Sequence, residues 1–341
     1  MRFIDKNLGD PGLFPETAEV EKDAIRMLGE LLAKPSARGY IVSGGSEANI
    51  TALWVARNVA KKAYPEVILP ITAHFSFDKA VDLLRMKPVY VGIDENFRVK
   101  VDEVEKAIGK NTVAIVGVAG TTVLGTIDPI PELSEIAVRH GVHLHVDAAF
   151  GGFVIPFLRD GGYKLPDFDF RLPGVRSITV DPHKMGMAPI PAGGILFRDE
   201  ELVRDFGVKV PYLAGGGVVS RTLGGTRSGA SVCAVWALLK YLGWGSYRRI
   251  VHRCMRLTLR IAEEVGEIEG LGLVLPPTMN IVGIRSSNPE VGVLSRELRG
   301  MGWIVSTFQD FMRIIVMPHI TSKVVEVFMG DLRSAVRRLT L

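Results

Sequence analysis

Two side chains set the chemistry this sequence can do. Lys184 closes the run Ser177-Ile-Thr-Val-Asp-Pro-His-Lys184, and Asp147 ends the apolar run Val142-His-Leu-His-Val-Asp147. A lysine just past one strand and an aspartate at the end of another are the two fixed points of a pyridoxal phosphate site. The lysine amine holds the cofactor as a Schiff base, and the carboxylate keeps the pyridine nitrogen protonated so that the ring accepts electrons. A third element, Ser43-Gly-Gly-Ser-Glu-Ala-Asn49, follows an apolar run and opens a helical one. Its glycines let the backbone approach an anion, and the helix start offers free N–H groups, with Gly45 and Ser46 as the donors to a phosphate.

Each element alone has an ordinary alternative. A lone lysine is usually solvated, an aspartate after a strand is often a helix cap, and Ser46 could be a plain cap as well. His74, in Thr72-Ala-His-Phe-Ser76, could stack on a cofactor ring or be a satisfied core histidine. His143 and His145 share one face of a strand, but no third metal ligand is identifiable, so they read as a buried, hydrogen-bonded pair. It is the joint spacing of lysine, aspartate and glycine turn that favours a cofactor site.

These residues need a scaffold that brings strand ends together. The first two-thirds of the chain alternate β-branched runs (residues 40–43, 67–72, 88–92, 113–118, 142–147, 177–181 and 194–198) with helical patterns (47–63, 77–84, 101–108, 130–140 and 199–206). That order predicts an α/β domain with a mostly parallel sheet, whose ligands bind at the carboxyl ends of the strands. Ser43, Thr72, Asp147 and Asp181 fall at such ends. Gly215-Gly-Gly217 opens a flexible loop that reads as a lid or a subunit contact. Helices over 230–242 and 247–266 follow. Strands near 271–275, 280–285, 304–307 and 312–317 and a terminal helix then predict a smaller α+β domain. The boundary is expected inside the first of those helices, giving a large domain over 1–238 and a small one over 239–341.

Composition narrows the class. The chain has 341 residues, 47% of them apolar and 23% charged, with a net charge of +4. No block of like charges suggests nucleic acid as a partner. No apolar run is long enough to span a membrane. Cys233 and Cys254 lie in helical patterns without metal or disulfide spacing, which fits a reducing cytoplasm. Gln309 is the only glutamine, a weak thermophile signal.

Taken together, the sequence resembles the group II pyridoxal phosphate decarboxylases, and within them the archaeal L-tyrosine/L-aspartate decarboxylase family. The resemblance is carried by Leu8–Phe14, the Ser43–Asn49 turn, Ala73–Ser76, Gly120–Thr122, Gly125–Pro129, His145–Ala149, Asp181–Lys184 and Gly225–Gly229. It implies the pyridoxal phosphate transferase-like architecture (fold type I). It also implies decarboxylation of aspartate to β-alanine, a coenzyme A precursor, with tyrosine or glutamate as alternative substrates. Carried over, Lys184 is the Schiff-base lysine, Asp147 the pyridinium partner and His74 the stacking ring. Gly45, Ser46, Thr122, Ala149 and His183 would contact the cofactor, while Thr226 and Ser228 would reach the phosphate of a neighbouring subunit. Arg227 and Arg313 would hold the substrate carboxylate. A homodimer with its site at the interface is implied.

Two departures stand out. Family members carry further N-terminal residues that embrace the partner, and this sequence starts just before the Leu8–Phe14 motif. The loop that holds a tyrosine proton donor in animal relatives has none over 214–226, which leaves Tyr212, His183 or water for that role. Other readings within the fold are a pyridoxal phosphate lyase, a cysteine desulfurase or a relative of sphingosine-phosphate lyase. The non-enzymatic reading is a cofactor-binding homologue that lost turnover with its arm.

Overall fold

The apolar runs become strands because most are buried on both faces, which requires helices above and below. A computed structural model describes residues 3–204, 206–214 and 218–340. Its first part runs α1 (Pro15–Leu31), β1 (Arg38–Val42), α2 (Gly45–Ala60), β2 (Glu66–Pro70), α3 (Ser76–Leu84), β3 (Lys87–Val91), α4 (Val101–Ala107), β4 (Thr112–Val118), α5 (Ile130–His140), β5 (His143–Asp147), α6 (Ile155–Asp160), β6 (Val175–Val180) and β7 (Gly193–Phe197). These strands form one sheet in the order β1-β7-β6-β5-β4-β2-β3. β7 alone runs against its neighbours, pairing antiparallel with both β1 and β6. Every residue of the central strands β4 and β5 is buried.

Six parallel strands therefore deliver their carboxyl ends to one edge of the sheet. The loops that carry Gly45, His74, Thr122, Asp147 and Lys184 all leave from that edge, which is where an open α/β sheet binds ligands. The same crossover logic that makes the sheet parallel thus gathers the site.

After α7 (Glu201–Arg204) and a hairpin of β8 (Val208–Val210) and β9 (Val218–Ser220), the long helix α8 runs from Gly229 to Gly266. The pattern predicted two helices here. The observed helix is interrupted only at Gly243, whose φ of 59° and ψ of 177° suit a residue without Cβ. The rest comprises β10 (Leu271–Leu273), β11 (Ile281–Ser286), α9 (Val291–Gly300), β12 (Ser306–Thr307), β13 (Phe311–Ile315) and α10 (Ser322–Thr340). Its antiparallel sheet has the order β10-β11-β13-β12. One core cluster reaches from Ile25 and Leu28 on α1 through Val282 and Ile284 on β11 to Leu332 on α10, so the second sheet packs onto the first unit and holds its β13 against the site. Cys233 and Cys254 are free thiols on α8. Among the described residues no helix is long and apolar enough to cross a membrane. The Gly215–Gly217 loop lies outside the described residues.

Candidate active site

The carboxyl ends of the strands enclose a cavity of about 560 Å³. Its walls include Gly45 and Ser46 at the start of α2, His74 after β2, Thr122 after β4, Asp147 and Ala149 after β5, His183 and Lys184 after β6, and Arg313 on β13.

Asp147 is buried and held rigidly. Its Oδ2 accepts from Asn49 Nδ2 at 2.9 Å, and its Oδ1 accepts from the Ala149 N–H at 3.0 Å. Asn49 is itself fixed from several sides. Its Nδ2 also donates to Ser76 Oγ at 3.0 Å, and its Oδ1 accepts from Thr179 Oγ1 at 2.7 Å. Since Nδ2 must face the carboxylate, Oδ1 must be the acceptor for His145 Nε2 at 3.1 Å. That assigns the proton of His145 to Nε2 and leaves its Nδ1 to accept from Ser177 Oγ at 2.8 Å. Ser177 in turn lies 2.7 Å from His143 Nε2. The two histidines are a hydrogen-bonded pair as the sequence suggested, joined through one serine. Burial pushes the His145 imidazole down to about 4 and that of His143 well below its ordinary range, so both stay neutral.

His74 sits on the cavity wall with Nδ1 accepting from the Ser76 N–H at 3.2 Å, and burial lowers its pKa. Asn49 and Ser76 thus tie His74 to the same network that fixes Asp147.

Lys184 Nζ points at Asp181 Oδ2, 3.0 Å away, and His183 Nε2 lies 3.5 Å from the same oxygen. His183 bridges its own loop, because its N–H donates to Ala192 O and its Nδ1 accepts from the Ala192 N–H at 3.2 Å. Asp181 is buried, and burial raises its carboxyl pKa against the pull of Lys184 and His183.

The residues present fit a pyridoxal phosphate. At the α2 start a Cβ on Gly45 would lie 2.8 Å from Asp181 Oδ2, so only glycine leaves that backbone open. No side chain caps α2, so its first N–H groups are free for a phosphate. Three buried polar atoms of cavity residues, Thr72 Oγ1, Asp181 Oδ1 and Arg313 Nε, have no hydrogen-bond partner. Unpaired polar atoms converging on one cavity are the expected mark of a polar ligand site.

Other sequence-derived residues lie elsewhere. Arg227 does not line the cavity. Its guanidinium is committed to the Glu21 carboxylate, with Nη2 3.0 Å from Oε2, and to the Ile41 carbonyl at 2.9 Å. This half-buried guanidinium is thereby turned toward Glu21 and Ile41 and away from the cavity. Ser228 is exposed and caps α8 by accepting from the Ser231 N–H. Thr226 is exposed away from the cavity, and Tyr212 is 84% exposed outside it. Arg313 does face the cavity, its guanidinium donating to the Thr122 carbonyl and to Ser306 Oγ.

Sequence reasoning placed Asp181 at a strand end without a role, and missed Asn49 and Glu21 as participants. Asp181 and Asn49 lay inside motifs already singled out. Glu21 was marked only by its place on the apolar face of α1, with Ala24, Ile25 and Leu28.

A strand-end lysine, a buried aspartate and an open helix start on this mixed sheet define a pyridoxal phosphate enzyme of fold type I. Residues 3–286 match the pyridoxal-dependent decarboxylase conserved domain. An L-aspartate/L-glutamate decarboxylase of Pyrococcus horikoshii is 51% identical over 97% of this chain and 86% of its own length. A probable L-tyrosine/L-aspartate decarboxylase of Methanothermobacter thermautotrophicus is 48% identical over 97% of this chain and 91% of its own length. Among solved structures, a sphingosine-1-phosphate lyase of Burkholderia pseudomallei superposes with a TM-score of 0.92 at 31% identity, covering 99% of this chain and 81% of that one. The chain belongs to the pyridoxal-dependent decarboxylase family and is a carboxy-lyase.

Proposed function

We propose that the substrate is L-aspartate, decarboxylated to β-alanine. The observation that carries this reading is Arg313: an arginine anchored by Thr122 and Ser306 on the wall shared with Lys184, with its buried Nε unpartnered. A desolvated guanidinium edge lacking an acceptor recruits a carboxylate. Aspartate is also the substrate named in common by the two relatives described above. L-Glutamate and L-tyrosine are the second readings, each named for one of them.

The bound cofactor supplies an electron sink for the pair left on Cα when carbon dioxide departs. Asp147 would be the partner of the cofactor's ring nitrogen, and Asn49 and the Ala149 N–H prevent its carboxyl from turning away. Lys184 offers the amine that anchors the cofactor. Arg313 orients the substrate so that one carboxylate is held and the other is free to leave. The proton returned to Cα comes from a group inside the cavity, where Lys184 and His183 stand and Tyr212 does not.

We further propose a homodimer with its sites near the interface, supported by the exposed apolar Ile71 and Phe75 beside the cavity. We place the division into units 1–238 and 239–341 within α8, supported by its break at Gly243. The test of function is product formation from aspartate, glutamate and tyrosine in separate reactions with pyridoxal phosphate. β-Alanine as the fastest product supports the reading. Tyramine or γ-aminobutyrate as the dominant product overturns aspartate, and no amine from any of the three overturns the activity.

A further inference from the structure

Two buried polar atoms of the cavity, Thr72 Oγ1 and Asp181 Oδ1, have no task in the chemistry above, and the second belongs to an ionisable group. Asp181 Oδ1 has no hydrogen-bond partner, and Asp181 as a whole is 1% exposed. Its other oxygen holds Lys184 Nζ at 3.0 Å and lies over the first residue of α2, 2.8 Å from where a Gly45 Cβ would be. An ammonium and a helix start both favour the charge of this carboxylate, while burial opposes it.

The proposed site, on which this inference rests, weakens that support. A phosphate would arrive at the same helix start, and Lys184, condensed with the cofactor aldehyde with loss of water and of a proton to solvent, would no longer be a free ammonium beside Asp181. Two anions would then share one buried corner, and one of them must be neutralised. The geometry points to Asp181 as an acid that takes up one proton from solvent when the cofactor binds and donates it as a hydrogen bond to the phosphate.

The neighbouring groups leave the proton no better place. His183 already accepts the Ala192 N–H at Nδ1, so a second ring proton would break that bond. His74 Nδ1 accepts the Ser76 N–H, and burial disfavours its charged form. Asp147 faces Asp181 across the cavity, and its charge opposes ionisation of Asp181. Glu47 on α2 is turned to the Ser43 N–H and hydroxyl. Arg313 on β13 is turned to the Thr122 carbonyl. Burial is already the largest influence on the Asp181 carboxyl and raises its pKa.

The test titrates pyridoxal phosphate into cofactor-free wild-type protein and into Asp181→Asn, which keeps an N–H donor without a charge. Binding is followed by visible absorbance across a pH series and by calorimetry in two buffers of different ionisation heat. The wild type is expected to take up about one proton more than the variant, and its dissociation constant to rise up to about tenfold more per pH unit. Equal proton counts overturn the assignment, as does a folded variant that binds at no pH, because the charge itself would then be required. If the variant does not fold, infrared difference spectra of wild type with isotope-labelled aspartate decide the matter. A protonated-carboxyl band appearing with the cofactor supports the assignment, and its absence overturns it. A wild type that develops no visible absorbance with pyridoxal phosphate overturns the cofactor site instead, an outcome distinct from a chromophore without the proton difference.

Discussion

The strand-end cavity and the stretch that follows β8 differ in how their side chains are placed. Asp147 and Lys184 sit at the ends of neighbouring parallel strands, where register fixes them: Asp147 pairs with Thr179 in the ladder. Tyr212, Thr226, Arg227 and Ser228 leave a short hairpin and take positions set by whatever they touch. For Arg227 that is Glu21 on α1, and for Ser228 it is the start of α8. Backbone pairing carries a residue to its destination from local sequence alone, whereas a loop residue's destination depends on a partner far along the chain.

The largest effect should come from the most constrained residue. Lys184→Ala removes the amine and should lower turnover on the order of 10⁴-fold or more, with loss of the lysine-linked visible absorbance. Persistence of that absorbance would break the cavity side of the comparison. Asp147→Ala should cost about 10²–10³-fold in kcat, by analogy with removal of one preorganised charge or donor elsewhere. Asn49→Ala should act in the same direction but less, about ten-fold in kcat, and should cost about 1–3 kcal/mol of stability for the buried partners it strands. Steady-state kinetics beside denaturant unfolding separates the two effects.

On the loop side, Glu21→Ala leaves the half-buried Arg227 with only the Ile41 carbonyl, which should cost about 1–3 kcal/mol in denaturant unfolding. kcat/KM per folded molecule should be unchanged. If Arg227 instead held the substrate, Arg227→Lys would raise KM without lowering the unfolding midpoint.

Acid should weaken the polar network behind the cavity. His143 and His145 are neutral in the folded protein, with His145 pushed down to about 4, while in the unfolded chain they take up protons near 6.5. Their contribution is therefore intact above about 6.5 and is lost progressively as pH falls toward 4. Asp128 has the opposite sign. Burial raises its pKa to about 6 although its oxygens accept from the Val99 and Val118 N–H groups. The folded state then binds its proton first as pH falls, which offsets the histidines between about 6 and 4. Thermal unfolding of Asp128→Asn across that window should show the steeper acid loss. The smallest effect is expected from Tyr212→Phe, within about twofold in kcat. A hundredfold loss would mean that this exposed ring closes over the cavity.

Much of this was legible before the fold was known. Alternation of apolar runs and helices gave the sheet, and strand ends gave Gly45, His74, Asp147 and Lys184, since sheet register needs only local pattern. That Arg227 pairs off the cavity was not legible because its position depends on Glu21, a buried acid on a helix whose polar first turn, Pro15-Glu-Thr17, hid the apolar face behind it. Asp181 was placed at a strand end but given no role, because only its contact with Gly45 shows that it shares the phosphate's corner. Helix α9 escaped because its pattern is short and interrupted by Gly292.

The antiparallel strand β7 has one more consequence. Because it pairs with β6 through Ser177–Phe197 and Val180–Gly194, the segment 181–192 that bears Lys184 is clamped at both ends by adjacent strands. At its far end Gly193 meets Gly44, where a Cβ would lie 2.4 Å from the Gly44 Cα. An added residue inside that segment could be absorbed only by displacing the lysine or by slipping β7, and a slip of one exchanges the side chains that its two buried faces present to the flanking layers. The length of 181–192 is therefore as strictly specified as the identity of its lysine. Insertions and grafts belong in the turns at the opposite edge of the sheet, where no cofactor contact measures the chain.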